Sequence, residues 1–250
     1  MLSTHDMMIN KMPKALILVA DGSEEIEFVT PYDVLTRAGF DVTSAGVSLK
    51  NEAYAHMSRN VRIVPDHSNL SWVGFQTAHE DFDVLILPGG APGAKAFCGS
   101  DEVLELISKF RKGQKWVAAI CAATTALVAS AKKFEGAKTT VTSHPSVAEE
   151  IKQAGWEYSE DRIVVDEKIV TSRGPGTAMA FALTIVEAMC GKGKREEIGG
   201  PMMLAEKLIG HAATSSKTSR TASQAFHMQT LAVIALKRGR IPVTVQVNKI

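Results

Sequence analysis

Cys121 carries the sharpest chemical signature in this chain, at the junction of an apolar run and a small-residue segment, W-V-A-A-I-C-A-A-T-T-A-L over residues 116–127. Ala119 and Ala123 supply the small side chains that a tight strand-to-helix elbow requires two positions either side of its nucleophile. At a helix start a thiolate meets the positive end of the dipole, which lowers the thiol pKa below its free value of about 8.5 and makes it nucleophilic near neutral pH. The competing reading is a buried core cysteine, since unpaired cysteine is among the most buried residue types. Cys98 and Cys190 lack such a setting.

Three further segments hold groups that such a thiol could use. The acidic stretch D-G-S-E-E-I-E-F offers Glu24, Glu25 and Glu27. A carboxyl held against a thiol in a partly dry pocket has a raised pKa and serves as general acid and base. Spacing does not choose among the three, and a solvated acidic loop explains each of them as well. Gly89 and Gly90, after V-L-I-L-P, permit close approach of backbone N–H groups to an oxyanion, or simply make a turn. His144 precedes a proline at the end of T-V-T-S, where a lone histidine is as readily structural as chemical. R-G-P-G-T at 173–177 lacks the P-loop lysine and the G-x-G-x-x-G spacing, and reads as a tight connection into a helix.

These residues need elements that bring them together. Apolar runs at 15–20, 41–45, 84–87, 116–120, 138–141, 163–165 and 169–171 alternate with helical segments, the rhythm of a doubly wound, mostly parallel α/β sheet. Helices are expected at about 101–112, 122–131, 146–154 and 177–189, with a further one near 195–208. For the first helix, Thr30 reads as N-cap, Pro31 as first residue and Gly39 as stop, which places Glu27 in the preceding loop. Residues 61–64, and 163–165 with 169–171, read as short antiparallel additions. Ligands of open parallel sheets bind at the carboxyl ends of the strands, and that is where the glutamates, Gly89 and Gly90, Cys121 and His144 all fall.

Composition bounds the rest. The chain has 250 residues, 45% hydrophobic and 22% charged, enough for one sizeable core. Lysine plus arginine is 28 against 27 aspartate plus glutamate, so no electrostatic case exists for nucleic acid or an anionic membrane. A small, weakly charged substrate fits better. Three cysteines without a C-x-x-C pair indicate neither a disulfide framework nor a zinc site. No apolar run approaches the ~20 residues of a membrane helix. Residues 1–12 lack the apolar core of a secretory signal and the arginines of a transit peptide, and read as a disordered leader of a cytoplasmic protein. From Gly210 the chain turns polar and aperiodic, so 208–250 reads as a largely disordered C-terminal extension.

With these residues in view the chain resembles the ThiJ/PfpI superfamily, and within it the parkinsonism-associated DJ-one subfamily. The carriers are A-D-G-S-E-E-I-E-F, S-R-N-V (58–61), L-P-G-G-A-P-G-A (87–94), A-A-I-C-A-A, V-T-S-H-P-S-V, Y-S-E-D-R and T-S-R-G-P-G-T-A, in family order, and they place the domain at 13–207. The resemblance implies a flavodoxin-like fold and a homodimer. It selects Glu27 as the carboxyl partner of the Cys121 thiol, with His144 nearby. It implies that the amides of Gly90 and Ala122, beside Gly89, form the oxyanion site, and that Arg37 and Arg59 line the site or the dimer contact. Ala123 and Thr124 stand where the family often has Gly-Pro, and Asn60 replaces a frequent aspartate.

The activity the resemblance implies is glutathione-independent glyoxalase chemistry on methylglyoxal or glyoxal, without metal or organic cofactor. Cys121 adds to the aldehyde to give a hemithioacetal, the backbone amides stabilise its oxyanion, Glu27 moves protons through an enediol, and lactate leaves. The same chemistry on glycated amino groups reads as protein deglycase activity. Two alternatives are a redox sensor in the oxidative stress response, with Cys121 oxidised to a sulfinate, and a cysteine amidase or peptidase. A nuclear or mitochondrial pool beside the cytoplasmic one is compatible with the resemblance.

Overall fold

The computed structural model describes residues 12–205, so the expectations for the leader up to residue 11 and for the extension from 208 onward lie outside the described residues. The strands are β1 (Lys14–Val19), β2 (Asp41–Gly46), β3 (Ala55–His56), β4 (Arg62–Ile63), β5 (Val84–Leu87), β6 (Trp116–Ile120), β7 (Thr140–Val141), β8 (Glu157–Tyr158), β9 (Ile163–Asp166) and β10 (Ile169–Ser172). The helices are α1 (Glu25–Arg37), α2 (Ala78–Asp81), α3 (Ala91–Gly99), α4 (Asp101–Lys112), α5 (Thr124–Phe134), α6 (Ala148–Gln153), α7 (Ala178–Cys190) and α8 (Lys192–Gly199).

Six strands form the central sheet in the order β2-β1-β5-β6-β10-β9, all parallel except β9, which pairs antiparallel with β10. Every residue of β5 is fully buried, as a parallel strand covered on both faces must be. Because side chains alternate across a strand, the apolar runs feed two core layers. Leu16, Leu18, Leu85 and Leu87 pack with Phe97 of α3, Phe110 of α4 and Leu127 of α5. Ile17, Val19, Ile86 and Ile120 pack with Phe28 of α1 and Phe181 of α7. Each fully buried side chain of this size contributes roughly 1.5–3 kcal/mol of transfer free energy.

The helix-start expectation for α1 is corrected. The helix begins at Glu25, because the Glu24 side chain accepts the Glu27 amide at 2.9 Å and caps it there, and Pro31 lies inside the helix. Glu27 therefore sits in the first turn, not in a loop. Gly39 ends the helix as expected, in the left-handed region at φ +85°. Two further differences concern the sheet end that carries the site. Residues 91–99, for which the sequence predicts no helix, form α3, with Pro92 in its first turn and Phe97 anchoring it in the core. β7 pairs parallel with β8 in a separate two-stranded sheet, because β9 takes the place beside β10 at the sheet edge. β3 and β4 form the expected short antiparallel pair around residues 61–64.

Candidate active site

The carboxyl ends of β1, β5, β6 and β10 open onto one crevice. β1 leads directly toward β2 on one side and, through later elements, pairs with β5 on the other, the strand-order reversal at which doubly wound sheets bind ligands. Short backbone bonds lock the loops together: the Glu24 amide donates to the Gly89 carbonyl at 3.0 Å, and the His144 amide to the Cys121 carbonyl at 3.2 Å.

Cys121 occupies the elbow that its sequence predicts. It follows β6 directly and holds φ +64°, a left-handed conformation that costs an L-residue roughly 1–2 kcal/mol. Its side chain is buried, with the residue only 8% exposed. The backbone amides of Gly90, at the start of α3, and Ala122, in the turn leading to α5, point at the sulfur and favour its anion.

Glu27 is completely buried, and its Oε2 accepts the Gly89 amide at 2.8 Å. Gly89 is glycine of necessity: a Cβ there would lie 2.5 Å from the Cys121 Cβ and 2.5 Å from Glu27 Oε2. The thiol faces the Glu27 carboxyl closely enough to act on it as a donor, but no formed hydrogen bond reaches Oε1, which is a buried oxygen without a partner among the described residues. Burial, helped by the nearby Glu24 charge, pushes the Glu27 carboxyl up to about 7.

Burial and the adjacent Glu27 charge push the Cys121 thiol up to about 12. The expectation of a thiol acidified by the helix dipole is corrected accordingly, because desolvation and a neighbouring carboxylate outweigh two amides. The two groups behave as a pair, in which charge on one opposes charge on the other. When Glu27 holds the proton the repulsion disappears, and the amides of Gly90 and Ala122 then favour the sulfur anion. The pair with a single proton can thus shuttle between thiol–carboxylate and thiolate–carboxylic acid.

His144 is brought beside this pair without contacting the sulfur. The segment leading to it is fixed by the Thr142 amide on Thr171 Oγ1 (2.9 Å) and by Thr124 Oγ1 on the Thr142 carbonyl (3.0 Å). The exposed imidazole accepts the Ser146 amide at Nδ1 (3.2 Å), with Ser146 Oγ at 2.8 Å, which leaves the ring proton on Nε2. Spacing alone could have suggested Ser146, two residues after the histidine in H-P-S, because that offset is an Asx-like turn.

Of the other two acidic candidates, Glu24 is a helix cap. Glu25 is buried and accepts from Ser58 Oγ at 2.8 Å and from the Arg59 amide; burial pushes its carboxyl up, but these bonds outweigh it and leave it below the usual range. Neither arginine forms a hydrogen bond or ion pair with Cys121 or Glu27 among the described residues. Arg37 lies in the last turn of α1, ten residues or about 15 Å of helix beyond Glu27, and pairs with Asp33 at 2.7 Å on the exposed surface. Arg59 turns its guanidinium back onto the Ser58 carbonyl at 3.1 Å. The R-G-P-G-T segment is the tight connection expected, closed by the Gly174 amide on Thr177 Oγ1 at 3.0 Å. A Cβ on its Gly174 would lie 3.9 Å from Glu27 Oε1, a proximity its composition does not reveal. No group of three or more metal-ligating side chains occurs among the described residues, and no helix there is long and apolar enough to cross a membrane.

A parallel sheet with a cysteine elbow, a buried glutamate and paired amides at its carboxyl edge defines a recognisable class. The model of the DJ-1/PfpI family matches residues 13–188, and the chain belongs to that family. It is 40% identical over 195 residues to the Parkinson disease protein 7 homolog of Danio rerio, covering 76% of this chain and 97% of the relative. It is 33% identical over 184 residues to the glutathione-independent glyoxalase DJ-1 of Schizosaccharomyces pombe, covering 73% and 94%. Among solved structures, Drosophila melanogaster DJ-1beta superposes with a TM-score of 0.69 at 38% identity, covering 78% of this chain and 99% of that one. The fold is flavodoxin-like.

Proposed function

We propose that this protein is a glutathione-independent glyoxalase that converts methylglyoxal to lactate and glyoxal to glycolate. One observation carries the reading: a buried carboxyl with one unpartnered oxygen stands against a thiol whose sulfur faces two backbone amides. The sulfur adds to the aldehyde carbon, the Gly90 and Ala122 amides stabilise the oxyanion that forms, and the thiol's proton then passes to that oxygen to give a neutral hemithioacetal. Glu27 removes the C1 proton and returns it at C2 through an enediol, while the C1 hydroxyl proton passes to the C2 oxygen, which leaves a lactoyl thioester on Cys121. Water hydrolyses the thioester, releasing lactate and regenerating the thiol. His144 offers its Nε2–H to the substrate oxygens. Names of relatives in S. pombe and Caenorhabditis elegans, both glutathione-independent glyoxalases, support the reading. The same addition to glycated amino groups gives a protein deglycase.

The decisive assay measures lactate from methylglyoxal without glutathione for wild type, Cys121→Ser and Glu27→Ala. Turnover in wild type alone supports the reading, while activity surviving in Cys121→Ser excludes Cys121 as nucleophile. A sensor reading is favoured by the same amides, which suit the oxygens of a sulfinate, and by a Glu27 carboxyl able to donate to it. It requires that mild peroxide convert Cys121 to sulfinate before Cys98 or Cys190, as read by mass spectrometry. The amidase reading has less support, since His144 is committed at Nδ1 to Ser146 and no carboxylate among the described residues bonds to it.

A homodimer is part of this proposal, as is a cytoplasmic location. Val29 on α1 and Val64 beside β4 expose 47% and 76% of their surface and line a hollow of ≈ 350 Å³ together with Phe28, Tyr32 and Asp66, and Ile26 and Val61 on the same two segments expose 51% and 45%. Exposed apolar surface of this continuity suits a second copy of the chain. Arg37, paired with Asp33 of the hollow's lining, and Arg59, two residues before Val61, belong in this reading to the contact between copies.

A further inference from the structure

The turn between β10 and α7 bears on the chemistry through a side chain it does not have. Gly174 has φ 167° and ψ −171°, extended backbone open to any residue. A Cβ placed there would meet two atoms, His144 Cδ2 at 3.7 Å and Glu27 Oε1 at 3.9 Å, both ordinary van der Waals distances. The position therefore has room for one methyl group without displacing its neighbours. That room is bounded by the unpartnered oxygen of the base and by the imidazole.

Glu27 Oε2 is held by the Gly89 amide, so Oε1 is the oxygen free to exchange protons with a bound substrate. A carbon skeleton that gives up and regains a proton there must come within about 3 Å of Oε1. Glyoxal and methylglyoxal differ by one methyl, on the carbon next to the aldehyde. We propose that Gly174 is the specificity-determining residue of this site: the space left by its missing side chain receives the methyl group of a 2-oxoaldehyde, so that the enzyme accepts a methyl ketone as well as a bare dialdehyde. The proposal rests on the glyoxalase reading for its substrate and on the geometry for its location.

The test is Gly174→Ala, with Gly176→Ala as control because a Cβ at Gly176 meets nothing within 4 Å. The ratio of kcat/KM for methylglyoxal to that for glyoxal is expected to fall about tenfold or more in Gly174→Ala, the usual worth of one methyl in a fitted pocket, and to stay unchanged in Gly176→Ala. A second arm does not depend on turnover. Chloroacetone and chloroacetaldehyde both alkylate a thiolate by displacing chloride, and their adducts on Cys121 differ by the same methyl. Gly174→Ala is expected to slow chloroacetone relative to chloroacetaldehyde by a similar factor, with the melting temperature within a few degrees of wild type. Parallel losses with both members of each pair, or no change in either ratio, overturn the proposal. Absence of turnover in wild type together with a shifted alkylation ratio overturns the glyoxalase reading and upholds the methyl slot.

Discussion

The Gly89 amide donates to Glu27 Oε2 at 2.8 Å from a position where a Cβ would overlap that same oxygen. The contact and the missing side chain are one requirement, since the amide reaches the carboxyl only because nothing stands beside it. Gly89→Ala is expected to abolish lactate formation and to destabilise the fold by about 1–3 kcal/mol through overpacking. Activity assays and denaturant titration check both parts, and an active Gly89→Ala enzyme would show that the Glu27–Gly89 contact is dispensable.

Glu27 gives stability a pH dependence whose sign is fixed. Its folded pKa, about 7, lies above the ordinary 4.5, so the folded chain holds this proton more firmly than the unfolded chain. The associated stability is fully present below about pH 4.5 and is lost as pH rises through about 7, to a total of about 3 kcal/mol. Glu27→Gln removes that loss. Unfolding free energies of the two proteins, compared from pH 4.5 to 8, are expected to diverge in favour of the variant as pH rises.

The reactive form of the thiol–carboxyl pair carries one proton, and it becomes dominant above about pH 7, where the doubly protonated pair loses its first. Methylglyoxal turnover is expected to rise through about pH 7 and then level off. A rate independent of pH between 5.5 and 8.5 counts against Glu27 as the proton carrier.

The left-handed backbone at Cys121 is strain that glycine does not feel. Cys121→Gly and Cys121→Ala both remove the nucleophile, yet the glycine variant is expected to be the more stable by about 1 kcal/mol. Calorimetry of the two side by side measures the strain stored at the elbow.

If the apolar surface around β4 joins two copies, Val64→Glu is expected to halve the solution mass. Val64 is 76% exposed in the single chain, so the substitution leaves the monomer's own fold within about 0.5 kcal/mol. Light scattering reads the mass; an unchanged dimer removes this surface from consideration.

Periodicity and turn chemistry revealed the strands and most helices because buried parallel strands such as β5 are written as unbroken apolar runs. Where the reading slipped, a local signal met a stronger one. Thr30 with Pro31 is a credible helix start, but Glu24 caps the helix a turn and a half earlier and Pro31 is accommodated inside. Cys121 and its elbow were readable from small residues at fixed offsets. Glu27 could not be distinguished from Glu24 and Glu25 by spacing; the partners separate them, since Glu24 caps the helix, Glu25 is held by Ser58 and Arg59, and Glu27 alone is sealed against the thiol, and those partners are a property of the packed sheet. The thiol's raised pKa escaped the sequence for the same reason, since the dipole is local and desolvation is not. Gly174 lies 147 residues from Glu27 in the chain, and no local pattern could have paired them.

Placing Glu27 in the first turn of α1 makes its aim a matter of angle. Each residue of a helix turns the chain by about 100°, so a carboxylate there points where the cap residue tells it to. Inserting a single residue between Glu24 and Glu27, and leaving every side chain of the crevice in the sequence, would swing the carboxyl away from the thiol. The length of the segment from the end of β1 to Glu27 is thus a part of the active site that no substitution can reveal.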